Sequence, residues 1–155
     1  MESLLRATLT AFAHAILGSP WYGKEREAVS YYAFGFLAKA CAPGTVLFDP
    51  AQIAVESLIP GGPLNKKKEV CKDLAVWSVP GGNCWNAEGR SVNHPLALME
   101  WKAGSASFSV YDLKHLMSLT QKAPDMLAVA VTPPGKVQAK GKGEMEMYFV
   151  ERLMS

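Results

Sequence analysis

Asp73, Glu100 and Lys102 are the residues of this chain whose types and spacing suggest joint chemistry. Glu100 and Lys102 stand two apart at the end of the apolar run Pro95-Leu96-Ala97-Leu98-Met99-Glu100-Trp101-Lys102, which is too short for a helix. A strand's period of two places both charges on one face, with Ala97, Met99 and Trp101 on the other. Asp73 interrupts a second apolar run, Val70 to Trp77, where a carboxylate is costly unless it is paired or holds a cation. If the two strands pair, the three charges converge at one end of a sheet. Carboxylates brought together repel, and a divalent ion is the simplest relief. Oxygen ligands from Asp73 and Glu100, with the backbone carbonyl of Trp101 between them, suit Mg2+ or Mn2+. A lysine beside such an ion orients a water, helps hold it as hydroxide and stabilises negative charge growing on a phosphate oxygen.

The elements that must position these groups follow from hydrophobic spacing. Leu5, Leu9, Phe12 and Ile16 recur at helical intervals, and Ser3 is an available N-cap, so residues 3 to 17 are expected to form a helix closed by Gly18-Ser19-Pro20. A second helix is expected from about Tyr22 to Cys41; after a charged first turn it is apolar nearly all round, which implies packing on more than one side. Strands are expected at 53–59, 70–77 and 95–102, then a helix to about Lys122 and an apolar strand at 126–131 with both faces covered. Ser78 to His94 reads as a long connection, Pro133 to Gly143 as a polar excursion and 148–153 as an edge strand. This order predicts an α/β fold with a mixed central sheet flanked by helices, in one domain over 1–155 with its core at about 22–132.

Helix, strand, strand with Asp, strand with Glu-x-Lys, helix, strand resembles the PD-(D/E)xK nuclease superfamily, the restriction-endonuclease-like fold. The resemblance runs from about Gly23 to Val131 and is carried by Lys72-Asp73, by Glu100-Trp101-Lys102 and by the helix from Tyr111 to Lys122. It implies an αβββαβ core with an extra N-terminal helix, and a magnesium- or manganese-dependent nuclease. In such an enzyme Asp73, Glu100 and the Trp101 carbonyl bind the ion and Lys102 serves the attacking water. Many members add a glutamate from the first core helix, for which Glu27 is the candidate and Glu25 the alternative. Lys72 stands where the family name has proline, a mild departure. The implied partner is nucleic acid, DNA foremost; Lys66, Lys67 and Lys68 are well placed to meet its backbone.

Each of these residues also has a plainer reading. Asp73 would be a strand-end carboxylate paired with Lys72 or Arg90, and Glu100 with Lys102 a solvated ion pair of little energetic value. Glu25 and Glu27 would favour a helix N-terminus through its dipole. Lys66 to Lys68 would be a solvated loop, and Trp77, Trp85 and Trp101 core residues in preference to base-stacking platforms. His94 and His115 receive no role, and Glu56 either approaches the site or faces solvent. On these readings the chain is a non-catalytic nucleic-acid- or protein-binding module of the same fold.

Composition narrows the remaining classes. The chain has 155 residues, 49% hydrophobic and 19% charged, which is ordinary for a globular domain and unlike a disordered segment. A net charge of +2 permits a nucleic-acid partner only through a local basic surface. Three cysteines without a CxxC pair, and three histidines not spaced with them, support neither a disulfide framework nor a zinc site, so a cytoplasmic location is expected. No run approaches the roughly 18 apolar residues of a membrane span, and the N-terminal segment reads as an amphipathic helix without signal-peptide character. The chain has neither a Walker-type glycine loop nor GxSxG. The apolar first helix offers a surface for a homodimer.

Overall fold

The computed structural model describes residues 1–17, 23–61, 68–102, 110–131, 137–139 and 143–145. Helix α1 spans Glu2–Leu17. Its expected stripe of Leu5, Leu9, Phe12 and Ile16 is buried in the chain's own core, so that face is not available for a homodimer contact.

The second helix departs from expectation. Helix α2 covers only Glu25–Tyr32, followed by a wider π-helical turn at Ala33–Leu37 and a 3₁₀ turn at Ala38–Ala40. Ala28, Val29, Tyr32, Ala33 and Leu37 are buried, whereas Tyr31 and Phe34 stand exposed. The segment therefore packs along one stripe, not all round as its composition suggested. The π turn contains Gly35, where an added Cβ would lie 3.1 Å from the Tyr31 ring, tight for anything but glycine.

Four strands form a mixed sheet in the order β1-β2-β3-β4. They are β1 Ile53–Pro60, β2 Glu69–Val76, β3 Ala97–Trp101 and β4 Leu127–Val131; helix α3, Val110–Lys122, lies between β3 and β4 in sequence. β2 runs antiparallel to both β1 and β3, while β3 and β4 are parallel across the α3 crossover. Among the described residues the fold is thus α/β, with a mixed sheet and three α-helices. β4 is covered on both faces as expected, although it lies at one end of the strand order. Within the expected polar excursion and just past its end, β5 Val137–Ala139 and β6 Gly143–Met145 pair antiparallel. The expected edge strand at 148–153 lies outside the described residues, as does Gly18-Ser19-Pro20. The 78–94 connection holds no helix or strand, but Asn86 Oδ1 accepts from the amides of Glu88 and Arg90, and Trp85 bridges Ser91. At the other end of β1, Gln52 is fully buried, its amide bonded to the backbone of Val46, Phe48, Asp49 and Trp77.

Each sheet face has its own core. Leu74, Val76, Ala97, Met99, Trp101 and Val131 pack with α1 and α2; Ala75, Trp77, Leu98, Ala128 and Ala130 pack with Leu116 and Leu119 of α3. Trp101 anchors the first core. Its ring lies 5.4 Å from both Phe12 and Tyr32, and Tyr32 shares a buried hydrogen bond with Thr8. Aromatic pairs of this geometry contribute about 1 kcal/mol each beyond their burial.

The β1–β2 pairing carries one irregularity that matters for the site. Ile53 and Val55 belong to the α1/α2 core, yet Ile59, of the same parity, belongs to the α3 core. Likewise Leu74 and Val76 face α1/α2 while Val70 faces α3. The pleat therefore inverts between them. The pairing skips Glu56 and Asp73, between Val55↔Leu74 and Ser57↔Lys72, and Glu56 adopts a left-handed φ of 54°. Its side chain turns outward to a solvated ion pair with Arg26, so the question of whether it faces solvent or the site resolves to solvent.

A left-handed conformation costs a residue with a Cβ about 1 kcal/mol, more than an exposed ion pair of this kind usually returns. Glu56→Gly is therefore expected to raise the melting temperature by a few degrees, and the β-branched Glu56→Val to lower it. Thermal denaturation followed by circular dichroism reads both; a glycine variant less stable than the parent would contradict the backbone argument.

Candidate active site

With Trp101 pinned against α1 and α2, Glu100 takes the opposite face of β3, under α3, in a position only 8% exposed. β2 and β3 pair for three residues, ending at Leu74↔Met99. Beyond that pair Asp73 supplies the link itself: its Oδ2 accepts the Trp101 backbone N–H at 2.6 Å. The Asp73 carboxylate thus bonds to the backbone between Glu100 and Lys102, and Lys102 Nζ donates to Glu100 Oε1 at 3.2 Å. The three residues expected to converge are brought together.

The pleat inversion adds a fourth. Lys72 lies on the α3 side, buried, and its Nζ donates to Glu100 Oε2 at 3.0 Å. Both Glu100 oxygens therefore hold an ammonium. The plainer alternatives for Asp73 do not apply, since Lys72 pairs with Glu100 and Arg90 with Glu88. Nor is Glu100 with Lys102 a solvated strand-end pair, because the glutamate is buried.

Charge and burial shape the titration of these groups. Burial pushes the Asp73 carboxyl up from 3.8 to about 6; the Trp101 N–H opposes this, Glu100 and Glu25 add to it, and Lys102 counters it. Burial alone would lower the Lys102 ammonium, but Glu100, Glu25 and Asp112 outweigh it and the net shift is upward. Lys102 is therefore a cation at neutral pH, suited to stabilising negative charge or orienting a water and unsuited to acting as a general base. His115 is driven toward the neutral form by burial and then by Lys72, against a hydrogen bond with the Gly61 backbone and the charges of Glu100 and Asp112.

Of the two glutamates on α2, Glu27 accepts the Lys24 backbone N–H with its carboxylate and closes the helix N-terminus. Glu25 is the one whose charge acts on Asp73 and Lys102. Lys68 is exposed, while Lys66 and Lys67 lie outside the described residues. Trp77 and Trp101 are buried and Trp85 half-buried, which makes the first two core residues and not stacking platforms. His94 lines a concavity with Lys122 and Met126 near the opposite ends of β2 and β3, away from the charged cluster.

The Lys72–Glu100 pair, Asp112 and His115 lie outside the Asp…Glu-x-Lys motif. The signal for the last two was present: Asp112 and His115 stand three apart on α3, flanked by the inward-facing Leu113, Leu116 and Leu119. For Lys72 no periodic signal existed, because strand alternation places it opposite to where the inverted pleat puts it.

The donor chemistry fits a magnesium-sized ion held by few protein ligands. Asp73 and Glu100 are hard carboxylates, the oxygen donors such an ion prefers. Among the described residues no group of three or more His, Cys, Asp or Glu is arranged to hold a metal. Comparison with protein-family models, curated proteins and solved structures finds no match to this chain.

Since Asp73 holds its proton more tightly when folded than when unfolded, stability is expected to fall as pH rises from about 4 to about 6 and to stay lower above. Asn keeps an oxygen for the Trp101 N–H without the charge. Asp73→Asn should therefore lose that slope and exceed the parent at pH 7 by on the order of 1 kcal/mol, allowing for solvent screening of a partly exposed group. Denaturant unfolding at pH 4 and pH 7 measures both, and parallel profiles for the two proteins would contradict the assignment.

Proposed function

We propose that this chain is a divalent-metal-dependent phosphodiesterase acting on nucleic acid, DNA foremost, built on a restriction-endonuclease-like core. The observation that carries the reading is the Asp73 carboxylate hydrogen-bonded to the backbone between Glu100 and Lys102, which joins an Asp and a Glu-x-Lys at adjoining strand ends. The order α2-β1-β2-β3-α3-β4, antiparallel through β3 and then parallel, supports it as the αβββαβ arrangement that the motif requires. Among the described residues no helix is long and apolar enough to cross a membrane. Three cysteines without a disulfide support a reducing, cytoplasmic setting.

In this reading Asp73, Glu100 and the Trp101 carbonyl hold Mg2+ or Mn2+, and Glu25 is the α2 carboxylate close enough in effect to assist through its charge. The bound ion would supply Lewis-acid polarisation of the phosphate and a water of lowered pKa. Lys102 keeps its proton, orients that water and stabilises the charge growing on a phosphate oxygen. Lys68, with Lys66 and Lys67, would meet the nucleic-acid backbone.

One observation favours a second reading. Both Glu100 oxygens are occupied by ammonium groups, which leaves the cluster compensated without an ion, as befits a non-catalytic binding module of the same fold. Calorimetry separates the two: no heat of binding with Mg2+ or Mn2+ at millimolar concentration would support the module.

The enzymatic reading predicts that Asp73→Asn, Glu100→Gln and Lys102→Ala each reduce magnesium-dependent cleavage of DNA by about 100-fold or more at a temperature where circular dichroism shows each variant folded, Glu100→Gln being the least stable of the three. Cleavage retained by the purified double variant Asp73→Asn/Glu100→Gln would sink the assignment.

A further inference from the structure

We propose that Lys72 is the resident counter-ion of the candidate metal site, neutralising Glu100 in the absence of a divalent ion and limiting how tightly one binds. The inference rests on the reading of Asp73 and Glu100 as metal ligands, and it deepens that reading by adding a residue outside the Asp…Glu-x-Lys motif.

Glu100 presents one oxygen to each of two ammonium groups, and the two differ in how easily they can leave. Lys72 Nζ lies 3.0 Å from Oε2, with side chains 5% and 10% exposed. Lys102 Nζ lies 3.2 Å from Oε1, and its side chain is 26% exposed. Lys102 also feels the charges of Glu25 and Asp112, so Glu100 is not its sole source of opposite charge. Among the described residues Lys72 has no second carboxylate within ion-pair distance. Among them its ammonium hydrogen-bonds Glu100 alone, and its side chain is buried. Withdrawing a lysine ammonium from its carboxylate into an apolar interior is strongly unfavourable.

When a divalent ion takes Glu100, Lys102 is therefore the group that yields and Lys72 the one that stays. A fixed positive charge at hydrogen-bond distance from a metal ligand opposes the incoming cation. The same charge offsets the repulsion between Asp73 and Glu100 while no ion is there, so the site keeps its arrangement without metal. Lys72 thus exchanges metal affinity for order in the metal-free protein. Its role is electrostatic, and it needs no contact with substrate.

Manganese titration calorimetry and melting temperatures with and without Mn2+ test this on the full chain. Lys72→Met, close in length and uncharged, is expected to bind Mn2+ about tenfold more tightly or better. It is also expected to melt lower than the parent without metal and to gain more from added Mn2+. Lys72→Arg, which keeps the charge, should stay within about threefold of the parent affinity. If the methionine variant does not fold, Lys72→Gln, able to hydrogen-bond Glu100 without a charge, carries the same expectation. A purely structural lysine would lower the melting temperature equally with and without Mn2+ and leave affinity unchanged; that result overturns the inference. Binding absent from both the parent and the uncharged variants, or undiminished in Asp73→Asn, overturns the metal site itself and the inference with it.

Discussion

The burial of Trp101 is the constraint on which the rest of this structure depends. Its indole sits between Glu100 and Lys102 in sequence and against Phe12 and Tyr32 in space. Because alternate residues of a strand face opposite ways, committing this large ring to the α1/α2 core leaves Glu100 on the α3 face of β3. α1 is then more than an appendage to the αβββαβ order. Phe12 also packs edge-on against Tyr32 and Phe36, and so ties α1 and the π turn after α2 to the strand that carries the charged pair.

A second constraint shapes the facing strand. The pleat of β1 and β2 inverts at Glu56 and Asp73, and the left-handed backbone at Glu56 is its visible sign. Without the inversion Lys72 would share the α1/α2 face with Leu74 and Val76. With it, Lys72 reaches Glu100 from below, and Asp73 stands where β2 and β3 part, with its carboxylate replacing a ladder bond to Trp101. Bulges and kinks that re-aim side chains are common beside functional sites, and backbone strain of this kind persists only where surrounding packing enforces it.

The outcome is a cluster in which two carboxylates and two ammonium groups balance one another within a partly buried end of the sheet. The cluster is asymmetric. Lys72 is buried and single-partnered among the described residues, while Lys102 is partly exposed and also feels the charges of Glu25 and Asp112.

Much of this was legible in the residues alone. Helical spacing located α1 and α3, the short apolar runs located all four strands of the main sheet, and period two alone put Glu100 and Lys102 together. Those features are local, set by which side chains must leave water. The break in the second helix at Ala33 was not legible, because its apolar composition looks the same whether one stripe or all sides are packed. The choice between Glu25 and Glu27 was not legible either: both suit a helix N-terminus, and only the backbone path decides which carboxylate caps and which faces the cluster. Lys72 is the clearest case. Read by alternation it belongs on the opposite face from Asp73, and a single left-handed residue on the neighbouring strand reverses that placement. Local residue patterning is enough to set the elements and to supply the charged residues; which charges meet depends on strand register and pleat, and these arise from pairing between segments far apart in the chain.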